Sequence, residues 1–228
     1  MDSRLHRALT VLLVFHYSLF ISAAQSQPDW RDSLTVLNQL IAKQPSSTDL
    51  RLRKAAVNIE LNQWDYAIDE YSRVLEMEPA NLSALYFRAY ANNHERRYDL
   101  ARRDYEAFLA IMPKHFEAQM GLAMVKRKLN RPQEAIDDLN TLVQLFPDSA
   151  LAYAARAAYE SERQQYDLAL FDWDEALRLQ PSNTDFLVSK VEVLLAMKRK
   201  REARRLLHQA IDAGTPAAAL SEWLQRCR

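Results

Sequence analysis

Apolar residues along this chain recur three and four positions apart, the spacing of one face of an α-helix, in stretches parted by short polar turns. Leu34, Leu37, Leu40 and Ile41 form one such stripe, and Leu220, Trp223, Leu224 and Cys227 form another near the far end. Between them, the stretch from Trp64 to Pro79 supplies a unit whose landmarks return every 34 positions. Ala67 recurs as Ala101, Ala135, Ala169 and Ala203, and Pro79 as Pro113, Pro147 and Pro181. Trp64 returns as Tyr98 and Tyr166, while Tyr71 returns as Tyr105, Leu139, Trp173 and Leu207. A helix ahead of each such stretch carries a small residue at its eighth position: Ala55, Ala89, Ala123, Ala157 and then Val191. Small residues on facing helices let two axes approach, and the larger side chains one turn on fill the space beside them. Asp65, Asp99 and Asp167 suit the positive end of the second helix dipole, where Pro132 takes the equivalent start, and the closing prolines stop that helix.

This pattern predicts paired helices in five tandem units, residues 48–81, 82–115, 116–149, 150–183 and 184–217. Trp30 and Pro45 lie one period before Trp64 and Pro79, so residues 25–47 read as a half-unit with one helix. Residues 218–228 read as a helix capping the open end. The fifth unit has Lys200 in place of the turn aromatic and shifts its proline to Pro216, as a terminal unit would. Arg51 and Gln119 stand where Leu85, Tyr153 and Leu187 occupy position four elsewhere, so the first and third hairpins are expected to pack less tightly.

Residues 1–24 have a different logic. Arg4 and Arg7 precede an apolar run that ends in Ser22, Ala23 and Ala24, which predicts a secretory signal peptide with cleavage before Pro28. An uncleaved membrane anchor is the alternative, and a further helix of the repeat array is a third reading. With no lipidation cysteine near the segment and no disulfide framework, a periplasmic address is expected.

Composition narrows the chemistry. Thirty basic residues balance thirty acidic ones, so no global field favours nucleic acid. Two glycines, Gly121 and Gly214, are too few and too scattered for a P-loop or a dinucleotide-binding turn. One cysteine, Cys227, rules out a thiolate zinc cluster and reads as a core residue. His94, His115 and His208 lie in different units with no paired-ligand spacing, and no serine occupies a nucleophile elbow. Asp137 with Asp138, and Asp172 with Asp174, are expected on solvated faces. No catalytic residue, metal or cofactor is predicted.

The 34-residue period with its alanine, aromatic and proline landmarks resembles the tetratricopeptide repeat. That resemblance implies an all-α fold, a right-handed α–α superhelix of antiparallel helix pairs. It also implies a concave groove lined by positions 2, 5, 9, 12 and 13 of each unit, and a non-enzymatic scaffold that holds a segment of another protein there. In this sequence those positions bring forward Leu52, Tyr86, Tyr90, Asn93, Met120, Met124 and Arg127 as partner-binding residues. The lysine, arginine and asparagine clamp that family members place around a peptide carboxylate is not reproduced. Tyr86, Tyr90, Met120 and Met124 point instead to an apolar or helical partner segment. The runner-up is a membrane-anchored envelope-assembly or secretion accessory component. The basic turns Lys126, Arg127, Lys128 and Arg131, and Lys198, Arg199, Lys200 and Arg201, are expected to be solvated rather than ligand-gripping.

Overall fold

A computed structural model describes residues 30–227, so the signal-segment readings fall outside the described residues. Helix α1 (Trp30–Lys43) is followed by five hairpins. These are α2 (Thr48–Glu60) with α3 (Trp64–Met77), α4 (Leu82–His94) with α5 (Tyr98–Ile111), α6 (Phe116–Lys128) with α7 (Pro132–Leu145), α8 (Ala150–Glu162) with α9 (Tyr166–Leu179), and α10 (Thr184–Ala196) with α11 (Lys200–Asp212). Among the described residues no strand interrupts them, and the fold is an all-α superhelix. Each helix packs on those before and after it in the chain, and first helices of neighbouring hairpins also touch, α2 with α4, α4 with α6 and α8 with α10, which lines them up along one side.

Local chemistry sets the frame of every hairpin. Ser47, Asn81 and Asn183 cap their first helices by accepting backbone N–H bonds with side-chain oxygens, and His115 does so with Nδ1. The first helices end on a left-handed residue at one recurring position: Asn62, Arg96, Asn130, Gln164 and Lys198, all with φ between 57° and 60°. The next amide then reaches back five residues, as Gln63 N–H to the Asn58 carbonyl at 2.8 Å and Arg97 N–H to that of Asn92 at 2.8 Å. That is the Schellman closure, which reverses the chain in a fixed geometry.

Inside the hairpins the small residues meet as expected. Ala55, Ala89, Ala157 and Val191 on first helices, and Ala67, Ala101, Ala135, Ala169 and Ala203 on second helices, are fully buried. Tyr71, Tyr105, Leu139, Trp173 and Leu207 are buried beside them. Close approach is tightest at Gly121, where an added Cβ would lie 2.6 Å from the Tyr105 ring.

Three expectations are corrected. Arg51 and Gln119 do not loosen their hairpins: each side chain is largely buried and donates to the carbonyl of the proline six residues earlier, Arg51 to Pro45 at 2.7 Å and Gln119 to Pro113 at 3.0 Å. A polar group at position four is therefore satisfied by the preceding turn. The least intimate hairpin is instead α10–α11. Second, Asp172 is 1% exposed and Asp138 is half-buried, while only Asp137 and Asp174 face solvent. Third, the end cap opens as a 3₁₀ turn (Ala217–Leu220) before a six-residue α12 (Ser221–Arg226). Leu220 and Cys227 are buried there, with Trp223 and Leu224 partly so.

The buried acids belong to a ladder with the period of the repeats. Arg88 grips Asp104 with two bonds of 2.7 and 2.8 Å, and Arg156 grips Asp172 at 2.6 and 2.8 Å. Lys54 holds Glu70 at 2.8 Å in the equivalent place. Two of these cations also reach back to the previous second helix, Arg88 to Ser72 and Arg156 to Asn140, and Lys190 in the same place of the fifth unit reaches Asp174. Arg88 and Arg156 thus each tie one hairpin internally and to its neighbour.

Candidate functional site

The side of the array lined by first helices holds a cavity of about 420 Å³ between α6, α8 and α10. Its walls are Met120, Met124 and Arg127 from α6, Ala154, Ala155 and Ala158 from α8, and Phe186, Ser189, Glu192 and Val193 from α10. Leu139 and Trp173 from the second helices lie beneath, with Tyr159 and Tyr166 at the α8–α9 hairpin. The cavity exists because α8 places alanine at positions 5 and 9 of its unit, where the neighbouring unit places Met120 and Met124. Large side chains on either side of a small-residue helix leave a trough that nothing within the hairpins fills.

Its rim is charged. Arg127 bridges to both oxygens of Glu162, at 2.9 and 3.0 Å, joining the ends of α6 and α8. Glu192 accepts from the Trp223 indole N–H at 2.7 Å and from the Arg226 guanidinium at 2.5 and 2.6 Å. Burial alone would raise the Glu192 pKa, but these bonds hold its carboxyl below the ordinary value. Asp185, exposed in the first turn of α10, completes the rim.

The residues expected to line the groove divide. Met120, Met124 and Arg127 line the cavity, whereas Leu52, Tyr86, Tyr90 and Asn93 do not. Tyr86 is half-buried and packs against the core: its ring centroid lies 5.6 Å from Phe108, 5.4 Å from His115 and 6.0 Å from Tyr105. Burial, with Glu117 and Tyr90 nearby, pushes its phenol up to about 12. A large side chain at this position is therefore used in packing within the array, and its size alone does not point to a partner. Tyr90 meets Trp64 edge-on at 5.9 Å, and burial with Glu60 nearby raises its pKa as well. Leu52 packs into the first hairpin's core. Asn93 is half-buried, and its carbonyl accepts the Arg96 N–H in the turn that ends α4.

The basic turns are occupied internally. Lys126 is buried against Asp138 at 2.9 Å, Arg131 meets Glu134 and Arg199 meets Glu202, so the expectation of a fully solvated row does not hold at Lys126. The cavity residues on α8 and α10 lie outside the expected set, and the signal for them in the sequence is a lack of bulk, Ala154 and Ala158 between larger neighbours. Among the described residues no three His, Cys, Asp or Glu side chains gather as metal ligands would.

Profiles of the tetratricopeptide repeat match residues 59–116 and 94–159. A DnaJ homolog subfamily C member 7 homolog of Dictyostelium discoideum is 22% identical over 86% of this chain and 46% of its own length. The small glutamine-rich tetratricopeptide repeat-containing protein 2 of Saccharomyces cerevisiae is 28% identical over 54% of the chain and 35% of its own. The chain thus spans less than half the length of these relatives. Among solved structures, MamA superposes with a TM-score of 0.64 at 19% identity, covering 72% of this chain and 90% of that one. YrrB, described as a TPR protein with an unusual peptide-binding site, gives 0.61 at 18% identity, covering 79% and 93%.

Proposed function

Because the chain is a member of the tetratricopeptide repeat family, we propose that it is a non-enzymatic scaffold that holds an apolar segment of another protein in the cavity between α6, α8 and α10. The observation that carries this is the cavity itself: apolar walls on the side lined by first helices, spread over three consecutive repeats, with bulk withheld only at α8. An apolar side chain entering such a trough gains the burial that the trough denies its own walls. Support from relatives is general, since similar proteins include one described as having a peptide-binding site and one named as a DnaJ homolog. Export with a mature N-terminus between Gln25 and Pro28 is part of the proposal, on the charged start, apolar run and small-residue end of the segment before it. N-terminal sequencing of native protein tests it, and an intact Met1 on membrane-bound material would favour an anchored assembly component. Among the described residues no helix is long and apolar enough to cross a membrane.

The groove reading is tested by filling the trough. Ala158→Trp should keep helicity while lowering partner recovery from the native host at least ~10-fold, the loss expected when an anchor pocket is blocked. Unchanged recovery with the folded variant would refute the site.

A further inference from the structure

We infer that the segment held in this cavity is a helix carrying a basic side chain beside its apolar anchor, an inference that rests on the groove reading above. Two observations point to this chemistry. The chain as a whole is neutral, yet three of the four charged residues lining the cavity are acids, Glu162, Asp185 and Glu192 against Arg127. The cations that do reach the rim are already committed, Arg127 to Glu162 and Arg226 to Glu192. Asp185 has no cation within ion-pair distance among the described residues, and it stands exposed at the mouth.

The second observation is an internal precedent. Helix α12 presents an aromatic and an arginine three residues apart, Trp223 and Arg226, and both bind the cavity-lining carboxylate of Glu192. Residues three apart share one helix face. The array therefore already engages a helix by the combination of apolar ring and guanidinium. A partner helix with a large apolar residue over Ala154 and Ala158, and a lysine or arginine one turn away, would repeat the arrangement with Asp185 as the acceptor. Charge of this kind at a rim selects partners and speeds encounter more than it adds affinity, so its effect should show as a preference between partners of equal hydrophobicity.

The probes are two fluorescein-labelled amphipathic helical peptides of the same leucine pattern, one with lysine and the other with glutamate at every polar position. Anisotropy titration of the full chain should give at least ~10-fold tighter binding of the lysine peptide, with the preference shrinking at high salt. Asp185→Asn should reduce that preference about 3-fold or more, and Ala158→Trp should weaken both peptides. Equal affinity, or a glutamate preference, that is still lost in Ala158→Trp would overturn the basic partner and leave the groove standing. Binding indifferent to Ala158→Trp would overturn both. Absence of binding by either peptide up to about 100 μM, a free energy of only ~5.5 kcal/mol, also counts against the inference.

Discussion

At the scale of single residues, five left-handed positions set the hairpin turns without a glycine among them: Asn62, Arg96, Asn130, Gln164 and Lys198. Asparagine tolerates this conformation, while arginine, glutamine and lysine are strained by it. Arg96→Gly, Gln164→Gly and Lys198→Gly should each raise stability by about 0.5–1 kcal/mol in denaturant titrations, and Asn62→Gly should gain less. Glu160 is the other strained residue. Only 7% exposed, it sits where the first two repeats have Asn58 and Asn92 and the third has Lys126. Burial and the neighbouring Asp172 carboxylate push its pKa to about 7, against opposing pulls from Arg156 and Arg163. A carboxyl raised in the folded state binds its proton more tightly there than when unfolded, so its contribution to stability is complete below about 4.5 and is lost as pH rises through 7. The difference is on the order of 3 kcal/mol. Glu160→Gln should therefore match wild type near pH 4 and exceed it near pH 8, as read from unfolding midpoints at both pH values. Parallel pH curves for the two proteins would contradict the placement of Glu160.

At the scale of helices, the ion-pair ladder replaces part of the apolar contact that pairs of helices ordinarily share. Its rungs are not obligatory, since Leu122 and Leu206 occupy two of the equivalent positions. Removing one partner from a buried pair strands the other, whereas replacing both with apolar residues is often neutral. Asp172→Leu alone should cost about 3 kcal/mol, and Arg156→Leu with Asp172→Leu should recover most of it. Chemical denaturation of the single and double variants measures this. Modularity is tested by deletion: removing residues 82–115 should leave a folded, shorter array, while removing residues 82–99 should expose the apolar face of the abandoned helix and cause aggregation. On helix α1, Val36 and Leu40 are 54% and 39% exposed, where Glu70 and Val74 one period later are buried.

The helices and their pairing were legible in the sequence because the alanine and proline landmarks are spaced by backbone geometry, which repeats without regard to what each repeat binds. Ala67 and its successors meet the small residues of the first helices as that spacing requires. The ladder was legible in principle, since Glu70, Asp104, Asp138 and Asp172 keep the same period, but acids read singly look solvated. The site was legible only in half. Met120, Met124 and Arg127 line the cavity, yet Tyr86 was claimed by the core. A large groove residue does not announce whether its ring turns outward or inward, because that depends on neighbours such as Phe108 and His115 in another helix. Alanines announce nothing singly, and a cavity is a property of three helices together.

At the scale of the whole molecule, the proposed partner site lies on the side lined by first helices, and Phe171 on the second helix α9, 62% exposed, lies outside it. A photo-crosslinking residue installed at Met124 and, in a second protein, at Phe171 compares the two surfaces in cells of the native host. One discrete adduct is expected from position 124, abolished by Ala158→Trp, and none from position 171. An adduct from position 171 with none from 124 would contradict the proposed site.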